Sequence, residues 1–346
     1  MKALSLSSNR ILLSSALLGF SISATADISL IDEKDYQADF YGKAKVIGRY
    51  QSHTSEFKVA DDSSRFGIKG HWDTELARVY SKIEIGTHLN TGADDLLSVR
   101  LLYAGLKNEA GQVDFGKQEA LVHDLDNYDF SNKLGGAAHI TRESLGNQRN
   151  PSTLSVRTDS GDWRLMAQYN FSRSIDKSIR LRVGSQSVGA RHQAIDNGWS
   201  VGARYRDKET GIALRGAVQM TSFKENANAT SMGLTAVKKA ELGGNPVRFS
   251  GMISHYELKD HSETGQAVGI GGGIKWEAVE HFHAYSVIEN LQGSKDLSEG
   301  KETSATLGVE YKGFENIKLY TESQRSWFDA AKPDQWQFAL GAHYEF

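Results

Sequence analysis

Residues 336–346, WQFALGAHYEF, close the chain, and their alternate positions belong to two different classes. Trp336, Phe338, Leu340, Ala342, Tyr344 and Phe346 are apolar with aromatics at both ends. Gln337, Ala339, Gly341, His343 and Glu345 between them are polar or small. Period two is the signature of a β-strand whose two faces meet different surroundings. Such a strand needs a partner on each edge, and the rest of the sequence offers many.

The same alternation recurs upstream. Trp163, Leu165, Ala167, Tyr169 and Phe171 interleave with Arg164, Met166, Gln168 and Asn170. Ile212 to Met220, Val268 to Trp276 and Ala305 to Tyr311 repeat it. A soluble sandwich also alternates, but three details favour a transmembrane barrel. Arg164, Arg215 and Lys275 stand mid-strand on the polar face, which suits a watery lumen and not a packed core. The apolar faces often end in aromatics, as in interfacial girdles. Short turns such as 158–161, 207–210 and 242–245 trade places with long polar segments, the layout of such barrels.

This reading predicts strands near 38–50, 62–73, 76–89, 97–108, 111–118, 150–158, 162–171, 198–206, 211–222, 230–240, 246–258, 266–277, 281–292, 303–312, 315–326 and 336–346. They make a 16-stranded antiparallel transmembrane β-barrel, wide enough to hold an aqueous channel. Lipid gives an open sheet edge no partner, so the last strand must pair with the first. Residues 172–197 read as a loop, although Ile179 to Val188 have some capacity to pair locally.

Composition supports export. Lys2 and Arg10, the apolar run Ile11 to Phe20 and Ala24-Thr25-Ala26 form a secretory signal peptide over residues 1–26. The apolar run is far shorter than the roughly 18 residues of a spanning helix. Cleavage after Ala26 leaves a barrel domain over 27–346 and takes the formal charge from −3 to −5. That balance gives no basic surface for nucleic acid. With no cysteine, disulfides, thiolate metal sites and Cys nucleophiles are excluded.

No enzyme, metal or cofactor is expected. Gly184 to Gly189 lacks the G-x-S-x-G spacing of a nucleophile elbow. Gly269-Ile270-Gly271-Gly272-Gly273 fails the dinucleotide pattern and sits mid-strand, where close packing is the simpler account. His281 and His283 share a strand face but lack a third ligand.

One connection stands apart. Between Lys117 and Asn150, about 119–149, no strand period holds. A long segment of this kind is usually functional, and in an open barrel it can fold inward and narrow the bore. Several stretches resemble the trimeric general porins of Gram-negative outer membranes: Tyr41-Gly42-Lys43, Ser64 to Gly70, Arg100 to Lys107, Val113 to Lys117 and the terminal Phe346. The resemblance implies an inward-folded third loop and a constriction in which wall cations face loop acids. Carried over, the wall ladder is Lys43, Arg65, Arg100 and Arg149, and the loop acid is Asp129. The family's loop motif Pro-Glu-Phe-Gly-Gly reads here Asn132-Lys133-Leu134-Gly135-Gly136, with Lys133 in place of the glutamate.

The resemblance further implies a homotrimer in outer-membrane lipid and lipopolysaccharide, passing ions and small hydrophilic solutes by passive diffusion. It makes Phe346 similar to the terminal signal read by the barrel insertion machinery. The alternative is a substrate-selective channel for phosphate or an oligosaccharide. The segment 173–192 is rich in Arg, Lys and His, which would concentrate anions at a pore mouth, or else bridge lipopolysaccharide phosphates or cover a neighbouring subunit.

Overall fold

A computed structural model describes residues 27–88, 96–173 and 177–346. The expected signal peptide, 1–26, lies outside the described residues. In chain order the strands are β1 (Ile28–Asp32), β2 (Tyr36–Gln51), β3 (Glu56–Asp61), β4 (Arg65–Asp73), β5 (Arg78–Thr87), β6 (Leu97–Asn108) and β7 (Gly111–Glu119). There follow β8 (Arg149–Ser160), β9 (Trp163–Asn170), β10 (Lys177–Val183), β11 (Gln186–Gln193), β12 (Ile195–Asp207), β13 (Ile212–Phe223) and β14 (Ala227–Leu242). The last six are β15 (Asn245–Asp260), β16 (Glu263–Val279), β17 (Phe282–Lys295), β18 (Lys301–Phe314), β19 (Ile317–Phe328) and β20 (Gln335–Glu345).

All but β10 and β11 belong to one antiparallel sheet that closes on itself. β3 and β4 pair with successive parts of β2 and form a single interrupted stave. β20 pairs with Lys43–Gln51, and β1 continues the same line by pairing with Gln37–Phe40. Counted as staves, the barrel has the sixteen strands expected. The first and last described strands share the closing stave.

Phe346 completes the seam. Its N–H donates to the Gly42 carbonyl at 3.0 Å, and the Gly42 N–H donates to its carbonyl at 2.6 Å. Its ring sits 5.6 Å from Phe40 and 5.8 Å from Tyr344. Along β20 the even-numbered apolar residues are exposed outward, while Ala339 and His343 are buried inward. The outward rings pair near the short-turn rim, as in Tyr36–Trp72, Trp163–Tyr205 and Phe282–Tyr311. These pairs form the aromatic girdle of a membrane barrel.

The structure corrects two details. β14, β15 and β16 run two or three residues further than expected at the loop end, so β13–β14 and β15–β16 join through tight turns there. Residues 177–193 are not a loop. β10 and β11 form a hairpin whose Ile179, Leu181, Val183 and Val188 pack against Leu258, Leu291 and Leu297 at the barrel's own mouth. Arg180 and Arg182 alternate with these residues and stay exposed. The two-residue turn Gly184-Ser185, with Gly184 at φ +56°, lets so short a segment fold back.

Candidate functional site

The lumen is shaped by the segment between β7 and β8. It opens with a 3₁₀ helix over Leu121–Tyr128, in which Leu121, Val122, Leu125 and Tyr128 are buried. That spacing puts the apolar side chains on one face of a turn, and the wall is cut away to receive them. A Cβ on Gly233 would lie 2.8 Å from Leu125 Cδ1, and one on Gly271 would overlap the Tyr128 ring. The glycine run of β16 is therefore the seat of this loop, in keeping with the close packing expected for it. The Leu125 carbonyl accepts from Thr235 Oγ1 at 2.7 Å, and the Tyr128 carbonyl from Ser250 Oγ at 2.5 Å.

Beyond the helix, buried carboxylates of the wall hold the loop. Glu289 accepts from the Tyr128 hydroxyl and, at 3.1 Å, from the Ala138 N–H. Glu322, 1% exposed, receives the N–H groups of Asn132, Lys133 and Leu134, the last two each at 2.9 Å. Successive N–H groups converging on one anion form a nest. The Tyr285 hydroxyl adds a fourth bond to Glu322 at 2.8 Å. Leu134 packs with Ile47 and Ala339, and its carbonyl accepts from Gln324. The Tyr256 hydroxyl lies 2.9 Å from His139 Nδ1 and accepts from the Ile140 N–H at 3.0 Å. The third loop is thus fastened along β12–β20, and its tip also packs on Ile47 of β2.

The expected wall cations stand on β2, β4, β6 and β8. Lys43 and Arg65 are register partners on β2 and β4. Arg65 and Arg100 converge on the buried Glu84, with Nε–Oε1 distances of 3.5 and 2.9 Å, and Tyr41 donates to its other oxygen at 3.1 Å. Arg149 lies 3.2 Å from Glu143, and Lys43 lies 3.8 Å from Glu345. The sequence reading did not single out Glu84. Its signal was a lone acid at an inward period-two position, two residues after Lys82.

On the loop, Asp129 accepts from the Ser131 N–H at 2.8 Å and its hydroxyl at 3.0 Å. Burial and the nearby Glu289 carboxylate push its pKa up to about 7. Among the described residues it forms no ion pair with the ladder. Lys133 contacts Asp62, which also binds Lys45 at 2.8 Å. Asp62 projects from the β3–β4 interruption, where Ser63 adopts φ +64°. Such a break re-aims a side chain, and here it supplies an acid the sequence reading missed. Phe346 lies at the seam, hydrogen-bonded to Gly42.

Comparison with known proteins follows the same lines. The sequence profile of the family described as Gram-negative porin matches residues 14–345. No curated protein matches the sequence. Among solved structures, the chain is similar to a loop L8 deletion mutant of OmpT, an outer membrane protein of Vibrio cholerae, at TM-score 0.72 and 17% identity, covering 90% of this chain and 100% of that one. It is also similar to the anion-selective porin from Comamonas acidovorans, at TM-score 0.72 and 14% identity with coverage of 90% and 100%. Salmonella typhi OmpF in complex with daunomycin gives TM-score 0.67 and 15% identity, with coverage of 92% and 100%. At these identities the likeness concerns the fold.

Proposed function

The chain belongs to the Gram-negative porin family, and from that premise we propose that it passes ions and small hydrophilic solutes across the outer membrane by passive diffusion. The observation that carries this is the third loop seated on one wall, with charged side chains opposite it. Lys43, Arg65, Arg100 and Arg149 act on the wall, and Asp129 and Lys133 on the loop. Fixed charges on both sides of a wet slot orient polar solutes and bias which ions enter. The reading involves no catalytic step, metal or cofactor.

It extends to assembly. The mature barrel begins at Asp27 after removal of residues 1–26, trimerises, contacts lipopolysaccharide, and presents Phe346 to the insertion machinery. The test is liposome swelling alongside single-channel recording of the purified protein. Small sugars should enter, solutes well above several hundred daltons should not, and conductance should rise in proportion to salt. Liposomes that stay tight to every small sugar, with no ion conductance, would overturn the reading. Saturation by one sugar at low concentration would favour the substrate-selective alternative.

A further inference from the structure

The strand register lines up like charges on β9 and β12–β16. Arg164 is paired across the sheet with Arg204, and Arg204 with Arg215. Arg215 is in register with Thr235, and four residues nearer the short-turn end Lys239 is paired with Arg248, and Arg248 with Lys275. Like charges directly opposite each other on a sheet are destabilising, so each such pair calls for a counter-charge. Some have one. Asp159 lies 2.6 Å from Arg164, Asp124 lies 2.5 Å from Arg204 and 3.7 Å from Arg215, and Glu310 lies 2.5 Å from Lys275. Arg206, Lys239 and Arg248 have no carboxylate partner among the described residues.

These three cations share a cavity. A chamber of about 480 Å³ lies between the third loop and the wall, lined by Arg206, Arg215, Lys239, Arg248, Asn127 and Phe130. The Arg248 guanidinium lies over the Phe130 ring, 5.2 Å from its centroid, which fixes its plane and leaves its edge donors free. Asp207 also lines the chamber, but it is engaged in its own turn, accepting from the N–H groups of Glu209 and Thr210 at 2.8 and 3.0 Å. The chamber lies at the short-turn end, which is periplasmic in such barrels. It stands on the wall that seats the loop, away from the Lys43–Arg149 ladder.

We infer that this chamber is a binding station for small oxyanions, of the phosphate class, leaving the slot toward the periplasm. Guanidinium edges match the geometry of a phosphate, and an uncompensated cluster in a confined lumen raises the local concentration of anions. Facing water and not lipid, the chamber takes a free solute. The inference rests on the channel reading above.

The test is single-channel recording in KCl with inorganic phosphate added to the short-turn side. Phosphate should reduce the chloride-carried current in a saturable way. The double variant Arg206→Gln/Arg248→Gln should raise the half-saturating phosphate concentration at least tenfold. Lys58→Gln, at the opposite end of the barrel, should leave it within twofold. The double variant relieves like-charge contacts, so it should insert and resist heat as the parent does. Open channels whose current ignores phosphate, or an unchanged half-saturation in the double variant, would overturn the station and leave the channel reading intact. Failure to conduct at all would overturn both.

Discussion

Replacing Glu322 with Gln tests whether the buried nest holds the loop tip. Oε1 receives the Asn132 N–H and the Tyr285 hydroxyl, while Oε2 receives the N–H groups of Lys133 and Leu134. Glutamine keeps the shape but turns one oxygen into an NH2 group. If Oε2 is lost, two N–H donors face a third donor; if Oε1 is lost, only the Asn132 N–H does, because the Tyr285 hydroxyl can turn to accept. Each buried donor left unsatisfied costs about 1–3 kcal/mol and the cheaper placement strands one, so the tip loses about 1–3 kcal/mol of anchoring. At about 1.4 kcal/mol per factor of ten, the smaller figure already raises the time the tip spends off the wall about fivefold. Glu289 and the glycine seat still hold the stem, so movement should be confined to the residues around Lys133.

Single-channel recording reads this as open-channel noise and brief subconductance levels absent from the parent. Tyr285→Phe removes one donor and leaves the carboxylate in place, so it should produce a fraction of the noise. Heat-modified mobility on gels should be unchanged in both, because no backbone hydrogen bond of the sheet is touched. A quiet Glu322→Gln channel at parental conductance would refute the reasoning. It would mean that Asp62, Gln324 and the packing of Leu134 hold the tip unaided.

Further expectations concern the seat, the loop charges and the seam. Gly271→Ala should displace the Tyr128 ring and change conductance, at an overpacking cost of about 1–3 kcal/mol; the neighbouring Gly272→Ala, whose nearest contact is 3.2 Å away, should leave the current alone. Lys133→Glu changes local charge by two units, which for an ion about 8 Å away in water is roughly 1 kcal/mol. Salt at about 0.1 M halves this, so reversal potentials should show the permeability ratio moving about fivefold toward cations. Lys133→Gln should go half as far on a logarithmic scale, and no shift at unchanged conductance would remove Lys133 from the ion path. With Asp129 held up near 7, it is neutral below that pH and ionised above it. Cation preference should therefore grow as pH rises through 7, and Asp129→Asn should flatten the response. Deleting Phe346 removes two seam hydrogen bonds and the ring over Gly42, so poorly inserted protein is expected; trimers at normal yield would refute its assembly role.

The strands were legible because period two, aromatic girdles and turn spacing are local signals. The inward loop was legible as a segment of about thirty residues without a period. Its fastenings were not. Glu322 meets Lys133 across 189 residues of chain, and Tyr128 meets Glu289 across 161. Barrel curvature sets such partners, and no short-range pattern encodes it. The glycines of β16 announced close packing without saying what packs there. The hairpin β10–β11 was obscured because Arg180 and Arg182, which alternate with its buried face, resemble loop charges. Asp62 was hidden differently, since Asp61-Asp62-Ser63-Ser64 reads as a strand start and is an interruption within a stave.

Within the ladder, Glu84 answers Arg65 and Arg100, Glu143 answers Arg149, and Glu345 answers Lys43. At the loop tip, Lys133 and Lys45 share Asp62, so a basic residue on the loop is met by an acid on the wall. Compensation within hydrogen-bonding distance leaves only short-range fields, which water and salt screen further. Arg206, Lys239 and Arg248, which have no carboxylate partner among the described residues, stand on the other wall and nearer the short-turn end. Their combined field reaches furthest, and ion preference should answer to them more than to the ladder. The two loci separate in one comparison of reversal potentials. Arg206→Gln/Arg248→Gln should move the permeability ratio toward cations by more than Arg65→Gln does, although both lie in the same lumen. The opposite order would return control of selectivity to the slot.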